Sequence, residues 1–247
     1  MPTHSLPSDM PTSLPPSCEL GIICSREDPR DVVVMKANSP YRRIQDLPVG
    51  SVVGTSSVRR KAQTKRHFPH LQCVDVRGNL NTRLRKLDGD DGQYDCLILA
   101  AAGLKRIDLG DRISQYLSAS DGVLCAPGQG ALGLEVRAGD ERMVEFLSLL
   151  SHSPTTLACH AERSLLRTLQ GGCSAPVGVE SSWVEEEVLD LKSSVISPDG
   201  AEMVQSGATG KVVSIEDAQR LGNQLAQKLL ELGADKILHD LRANAQS

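Results

Sequence analysis

From Ser51 onward the apolar and polar positions switch repeatedly between a strand period and a helix period, and each switch marks an element. Ser51 to Gly54 reads as a strand that ends in Thr55-Ser56-Ser57, a natural helix N-cap. The helix then runs from Val58 to about His67 and stops before Pro69. Leu71 to Val76 predicts the next strand, and Arg77-Gly78-Asn79 turns into a helix from Leu80 to Leu87. After the loop Gly89-Asp90-Asp91-Gly92, Tyr94 to Ala100 is a continuous apolar run, as in strands buried on both faces. Ala101 to Ile107 opens another helical turn. Strand, helix, strand, helix, strand with short loops predicts a parallel sheet with right-handed crossovers, hence an α/β domain.

The flanking regions follow other patterns. Met1 to Ser17 is rich in Pro and Ser, has no period and reads as loop. Leu20 to Cys24 and Asp31 to Met35 predict short strands, and Asn38 to Pro48 a connecting segment and hinge. Pro127-Gly128-Gln129-Gly130 breaks the regular pattern before a strand at Leu132 to Val136. Asp140 to Leu150 carries a helical apolar face, and a second helix opens at Pro154 with Leu157, Ala161, Leu165 and Leu169 in one stripe. Pro176 to Val184, Val188 to Ile196 and Ala201 to Thr209 alternate as strands, the last two joined by Ser197-Pro198-Asp199-Gly200. A closing helix from Ile215 to Leu232 ends at Gly233. This half predicts a separate α+β domain with three antiparallel strands and a helix across them.

Composition narrows the function classes. At 247 residues the chain has room for one large domain or two to three small ones. Aromatic residues make up only 2%, so the core must be aliphatic and base-stacking nucleic-acid modules are disfavoured. Net charge is -4, and the seven cysteines include no C-x-x-C pair, which argues against a metal site and for reduced thiols in the cytoplasm. No apolar run is long enough to span a membrane.

Against that acidic background, Arg59 to Lys86 is a segregated basic field whose only acid is Asp75. Lys61, Lys65, Arg66, Arg85 and Lys86 read as solvated helix faces. Arg59, Arg60, Arg77, Arg83 and Arg106 instead lie where strands hand over to helices, points that gather at one edge of such a sheet. Helix N-termini there attract anions, and arginine forks match carboxylates in bidentate fashion. With no G-x-x-x-x-G-K loop and no G-x-G-x-x-G, a polycarboxylate is a better ligand than a nucleotide. Further on, Gly171-Gly172 gives a sharp turn that presents Cys173; alone, this reads more readily as a helix C-cap than as a nucleophile.

Val53-Gly54-Thr55-Ser56-Ser57-Val58-Arg59-Arg60, Arg77-Gly78-Asn79-Leu80-Asn81-Thr82-Arg83, Pro127-Gly128-Gln129-Gly130-Ala131-Leu132-Gly133 and Gly171-Gly172-Cys173-Ser174, in that order, resemble the porphobilinogen deaminase (hydroxymethylbilane synthase) family of tetrapyrrole and heme synthesis. The resemblance runs from about His4 to the C-terminus. It implies two doubly wound domains like those of periplasmic binding proteins, plus a C-terminal α+β domain. It also implies a dipyrromethane cofactor held through Cys173 as a thioether, and porphobilinogen as the small-molecule substrate. Four units are joined with loss of ammonia. By match of motif, Arg59, Arg60, Arg77, Arg83 and Arg106 bind the pyrrole carboxylates beside Ser56 and Ser57. Gln129 lies near the reaction, and Asp9 is the catalytic aspartate.

The chain departs from the family where His4-Ser5-Leu6-Pro7-Ser8-Asp9 lacks the lysine that precedes the aspartate. The family also carries a strand-helix stretch before this point. The expectation is therefore a first domain that is incomplete, with residues 1–43 its remnant and hinge and 44–124 the anion-binding domain. Residues 125–149 would return to the first domain, and 150–247 would form the cofactor-cysteine domain. The strands at Leu20 to Cys24 and Leu132 to Val136 would lack neighbours and activity would suffer. A cytoplasmic monomer, no metal, no nucleic acid and no membrane are expected. A non-catalytic polycarboxylate-binding protein of the same descent is the alternative; an unrelated solute-binding module explains the arginine edge but not Gly171-Gly172-Cys173.

Overall fold

The computed structural model of the chain describes residues 3–5, 14–89, 92–170 and 175–245, so Asp9 and Cys173 lie outside the described residues. In chain order the elements begin with β1 (Thr3–Ser5), β2 (Cys18–Ile23), β3 (Asp31–Met35), β4 (Val52–Gly54), α1 (Val58–His67) and β5 (Gln72–Val74). There follow α2 (Leu80–Asp88), β6 (Cys96–Ala100), α3 (Ala101–Lys105), β7 (Gln115–Tyr116), β8 (Gly133–Arg137) and α4 (Glu141–Leu147). The last are α5 (Ser153–Thr168), β9 (Val177–Glu185), β10 (Val188–Ile196), β11 (Met203–Lys211), α6 (Ile215–Glu231) and α7 (Ala234–Ala245).

The central sheet has five strands in the order β5-β4-β6-β3-β7. β4 runs parallel to β5 and β6, as the strand–helix alternation requires. β3 is antiparallel to β6 and β7, so the sheet is mixed and not wholly parallel. The expected boundary at residue 43 also divides this sheet, because β3 belongs to it. The physical reason is burial: Asp31 through Met35 are all buried, and a strand with two apolar faces needs neighbours on both edges and cover on both sides. The slot between β6 and β7 supplies both.

The strands expected to lack neighbours pair with one another: β8 lies between β1 and β2, antiparallel to each. Thr3–Ser5, read as loop, is the third member. On the C-terminal side β9, β10 and β11 form the antiparallel meander that the alternation predicted. α5 and α6 pack together over this meander, with Ala161, Leu165 and Leu169 from the predicted stripe fully buried against Leu189, Leu191, Leu225 and Leu229. Gly233, at φ 99°, ends the run and lets α7 start in a new direction, a helix the sequence reading omitted. Among the described residues no helix is long and apolar enough to cross a membrane.

Candidate active site

Three handovers at one edge of the central sheet build the site. β4 ends at Gly54, and Ser57 caps α1 by accepting from the Arg60 amide, which places Arg59 and Arg60 in the helix's first turn. Asn79 caps α2 in the same way through the Thr82 amide, so Arg83 emerges one turn in. β6 runs directly into α3, and Arg106 stands at the end of that short helix. The segment Ala126 to Gly130 closes the edge; Gly130 has φ 86°, and a Cβ there would strike the Glu27 carbonyl. Ser57, Arg59, Arg60, Arg83, Arg106 and Gln129 line the resulting cavity of about 400 Å³. That volume lies toward the small end of ligand pockets, which run to roughly 300–1,000 Å³.

The arginines of this edge are not equivalent. Asp31, fully buried at the start of β3, accepts from Arg59 Nη1 at 2.6 Å through Oδ2. Its Oδ1 accepts from Arg60 Nε at 3.1 Å, Arg60 Nη2 at 2.7 Å and Gln129 Nε2 at 2.9 Å. Burial pushes the Asp31 carboxyl up, but the charges and hydrogen bonds of Arg59 and Arg60 prevail and hold it well below the usual carboxylate range. Arg59 also donates to the Leu124 carbonyl at 2.6 Å, to Gln63 and to Gln129, and is only 5% exposed. Its charge is bound into the protein.

Arg83 is the opposite case. It donates to the Gly78 carbonyl and has no carboxylate partner among the described residues. Burial first, and the charge of Arg60 second, press its pKa downward. Among the described residues this cation has no counter-ion, and an anionic ligand would supply one. Among the described residues Arg106 likewise meets only a neutral acceptor, the Gly130 carbonyl at 2.7 Å.

Of the other expected site residues, Ser56 is turned to the fold, its hydroxyl donating to the Val76 carbonyl. Arg77 is 85% exposed beside Asp75 and does not line the cavity. Gln129 reaches the cavity wall, but its amide is engaged by Pro29, Asp31 and Arg59, the arrangement of a brace. The sequence reading missed Asp31 altogether. The available sign was an acid opening an otherwise apolar strand, which a buried position tolerates only with partners.

The family model described as porphobilinogen deaminase, dipyromethane cofactor binding domain, matches residues 1–145, and that of the C-terminal domain matches residues 156–231. The chain belongs to the porphobilinogen deaminase family. A porphobilinogen deaminase of Yarrowia lipolytica is 54% identical over 95% of this chain and 69% of its own length. The Neurospora crassa protein is 50% identical over 93% of this chain and 70% of its own, and the Saccharomyces cerevisiae protein 48% identical over 96% and 73%. The substrate binding protein of an amino acid ABC transporter superposes on 53% of this chain and 54% of its own at 16% identity. The TM-score is 0.31, too loose a fit to bear on the fold.

Proposed function

We propose that the chain is a hydroxymethylbilane synthase-type transferase. It joins four porphobilinogen units head to tail, with release of ammonia, into a linear tetrapyrrole of heme and tetrapyrrole synthesis. Membership of the porphobilinogen deaminase family supports the reaction. The single observation that carries it to this site is Arg83, a partly buried cation without a carboxylate partner among the described residues, on the wall of a cavity of about 400 Å³.

Each pyrrole of such a chain bears an acetate and a propionate, so the ligand is a polycarboxylate and the site's residues suit it. The dipyrromethane cofactor, attached to Cys173 by a thioether, supplies the anchored pyrrole end to which units are added. Arg83 and Arg106 bind its carboxylates, and Arg60 shares in this through the N–H groups that Asp31 and Ile98 leave free. Ser57 borders them, whereas Arg59 and Gln129 hold the wall in place. Asp9 stabilises positive charge on the reacting pyrrole and moves its protons. The six described cysteines are free thiols, in keeping with a reducing cytoplasm.

Intact mass of the purified protein, followed by peptide mapping, tests the reading. The expected result is one covalent dipyrromethane increment, located on Cys173. Burial pushes the Cys96 and Cys125 thiols up to about 12, so neither presents a thiolate at neutral pH. An adduct on either of them would overturn the assignment.

A further inference from the structure

We propose that Asp31 is a positioning residue of the carboxylate-binding edge: it grips Arg60 from behind and thereby aims that residue's remaining donors at the ligand. The inference rests on the reading of the cavity given above. A guanidinium has five N–H donors in a fixed plane. Arg60 gives Nε and Nη2 to Asp31 Oδ1 and one Nη1 hydrogen to the Ile98 carbonyl at 3.2 Å. Two N–H bonds therefore remain, one on each terminal nitrogen, and the residue lines the cavity.

The grip is rigid because Asp31 has no freedom of its own. Its residue pairs with Ala100 across β3 and β6, and its carbonyl accepts from the Leu117 amide at 2.8 Å on the other side. The side chain is fully buried and both oxygens are engaged. A ligand carboxylate entering the cavity meets the arginine and not the aspartate.

The edge also needs this anion electrostatically. Arg59, Arg60, Arg83 and Arg106 line one cavity at the first turn of α1, where the helix N-terminus adds positive charge. Without a fixed negative group behind them, Arg59 and Arg60 repel each other and Arg83, and long side chains relieve repulsion by swinging apart. Two arginine forks held in one geometry bind a carboxylate with less ordering cost than two mobile ones.

The test uses the whole chain, wild type and Asp31→Asn, with citrate as a polycarboxylate that cannot be polymerised. Asparagine keeps the shape and one acceptor oxygen but loses the charge, and its NH₂ group faces Arg59. Affinity is read by titration calorimetry, the fold by thermal melting, and the Arg60 Nε–H by side-chain ¹⁵N spectra. In the wild type, citrate is expected to shift the Arg83 signal while the Arg60 Nε–H stays protected from exchange. In the folded variant, affinity is expected to fall at least tenfold. A purely structural Asp31 would alter the melting alone, so a folded variant that binds citrate as tightly as the wild type overturns the proposal. Should the variant not fold, the wild-type spectra decide: loss of Arg60 Nε–H protection on adding citrate would mean that Asp31 lets go, and overturns it equally. A wild-type chain indifferent to citrate sinks the reading of the cavity itself, and this inference with it.

Discussion

Arg59 and Arg83 look alike in the sequence, both beginning helices after a strand and both in a basic field. Their surroundings separate them. Arg59 is enclosed with Asp31, whereas among the described residues Arg83 has only a carbonyl. Replacing Arg83 by Leu is therefore expected to leave the melting temperature near that of the wild type while cofactor loading falls. Loss of one charge-assisted carboxylate pair costs about 2–3 kcal/mol, roughly a hundredfold in occupancy. Replacing Arg59 by Leu strips a buried carboxylate of one of its two cations and should cost about 3 kcal/mol of stability. Intact mass and urea unfolding of both variants check the pair. Equal effects on loading and stability in the two would show that the distinction is false.

At the scale of elements, α5 and α6 approach one another at Gly222, where no side chain intervenes. A Cβ there would overlap the Ala161 carbonyl oxygen, far inside van der Waals separation, and lie 3.0 Å from the Leu165 nitrogen. Those atoms belong to a helix backbone and cannot rotate aside. Alanine is the better helix former by about 1 kcal/mol, but overpacking costs about 1–3 kcal/mol and here meets main chain. Gly222→Ala is thus expected to lower the melting temperature, and a rise would show that the helices separate freely. The stripe on α5 was legible because a period of four is a local property. α7 was not, since Gly233 resembles the end of the chain's last helix as well as a corner between two. The direction of β3 was equally hidden: apolar strands look the same read parallel or antiparallel.

On the scale of the whole molecule, one buried carboxylate joins three segments remote in sequence. Glu162, on α5 and fully buried, accepts from Arg26 Nη1 at 2.6 Å and Nη2 at 3.1 Å, from the Gly128 amide at 2.6 Å and from Ser181 at 2.5 Å. Burial works against the Arg26 charge, but Glu162 prevails and holds its pKa above the ordinary value. A second tie runs from α1, where Lys65 and Arg66 donate to the carbonyls of Pro198, Gly200 and Ala201 in the β10–β11 turn. The helix that starts at the arginine edge is thereby fixed at its far end to the C-terminal sheet. Glu162→Gln leaves Arg26 without its counter-charge and should cost about 3–5 kcal/mol. Urea unfolding followed by Trp183 fluorescence reads this, and a loss below about 1 kcal/mol would show that the pair is incidental to the joint.

The sequence by itself determined the elements from Ser51 to Ala100, the C-terminal meander, the aliphatic core and the gathering of arginines at strand–helix handovers. These depend on period, caps and turn residues within a few positions of one another. The family was legible too, because its four motifs are short and contiguous. Tertiary structure alone decided which arginines still have charge to offer. Arg59 and Gln129 are engaged by Asp31, a residue 28 positions before one and 98 before the other. Arg77 stands outside the cavity, since the turn at Gly78 carries it toward Asp75 and solvent. A guanidinium's partners are set by what the folded chain brings within 3 Å of it, and no local pattern encodes that distance.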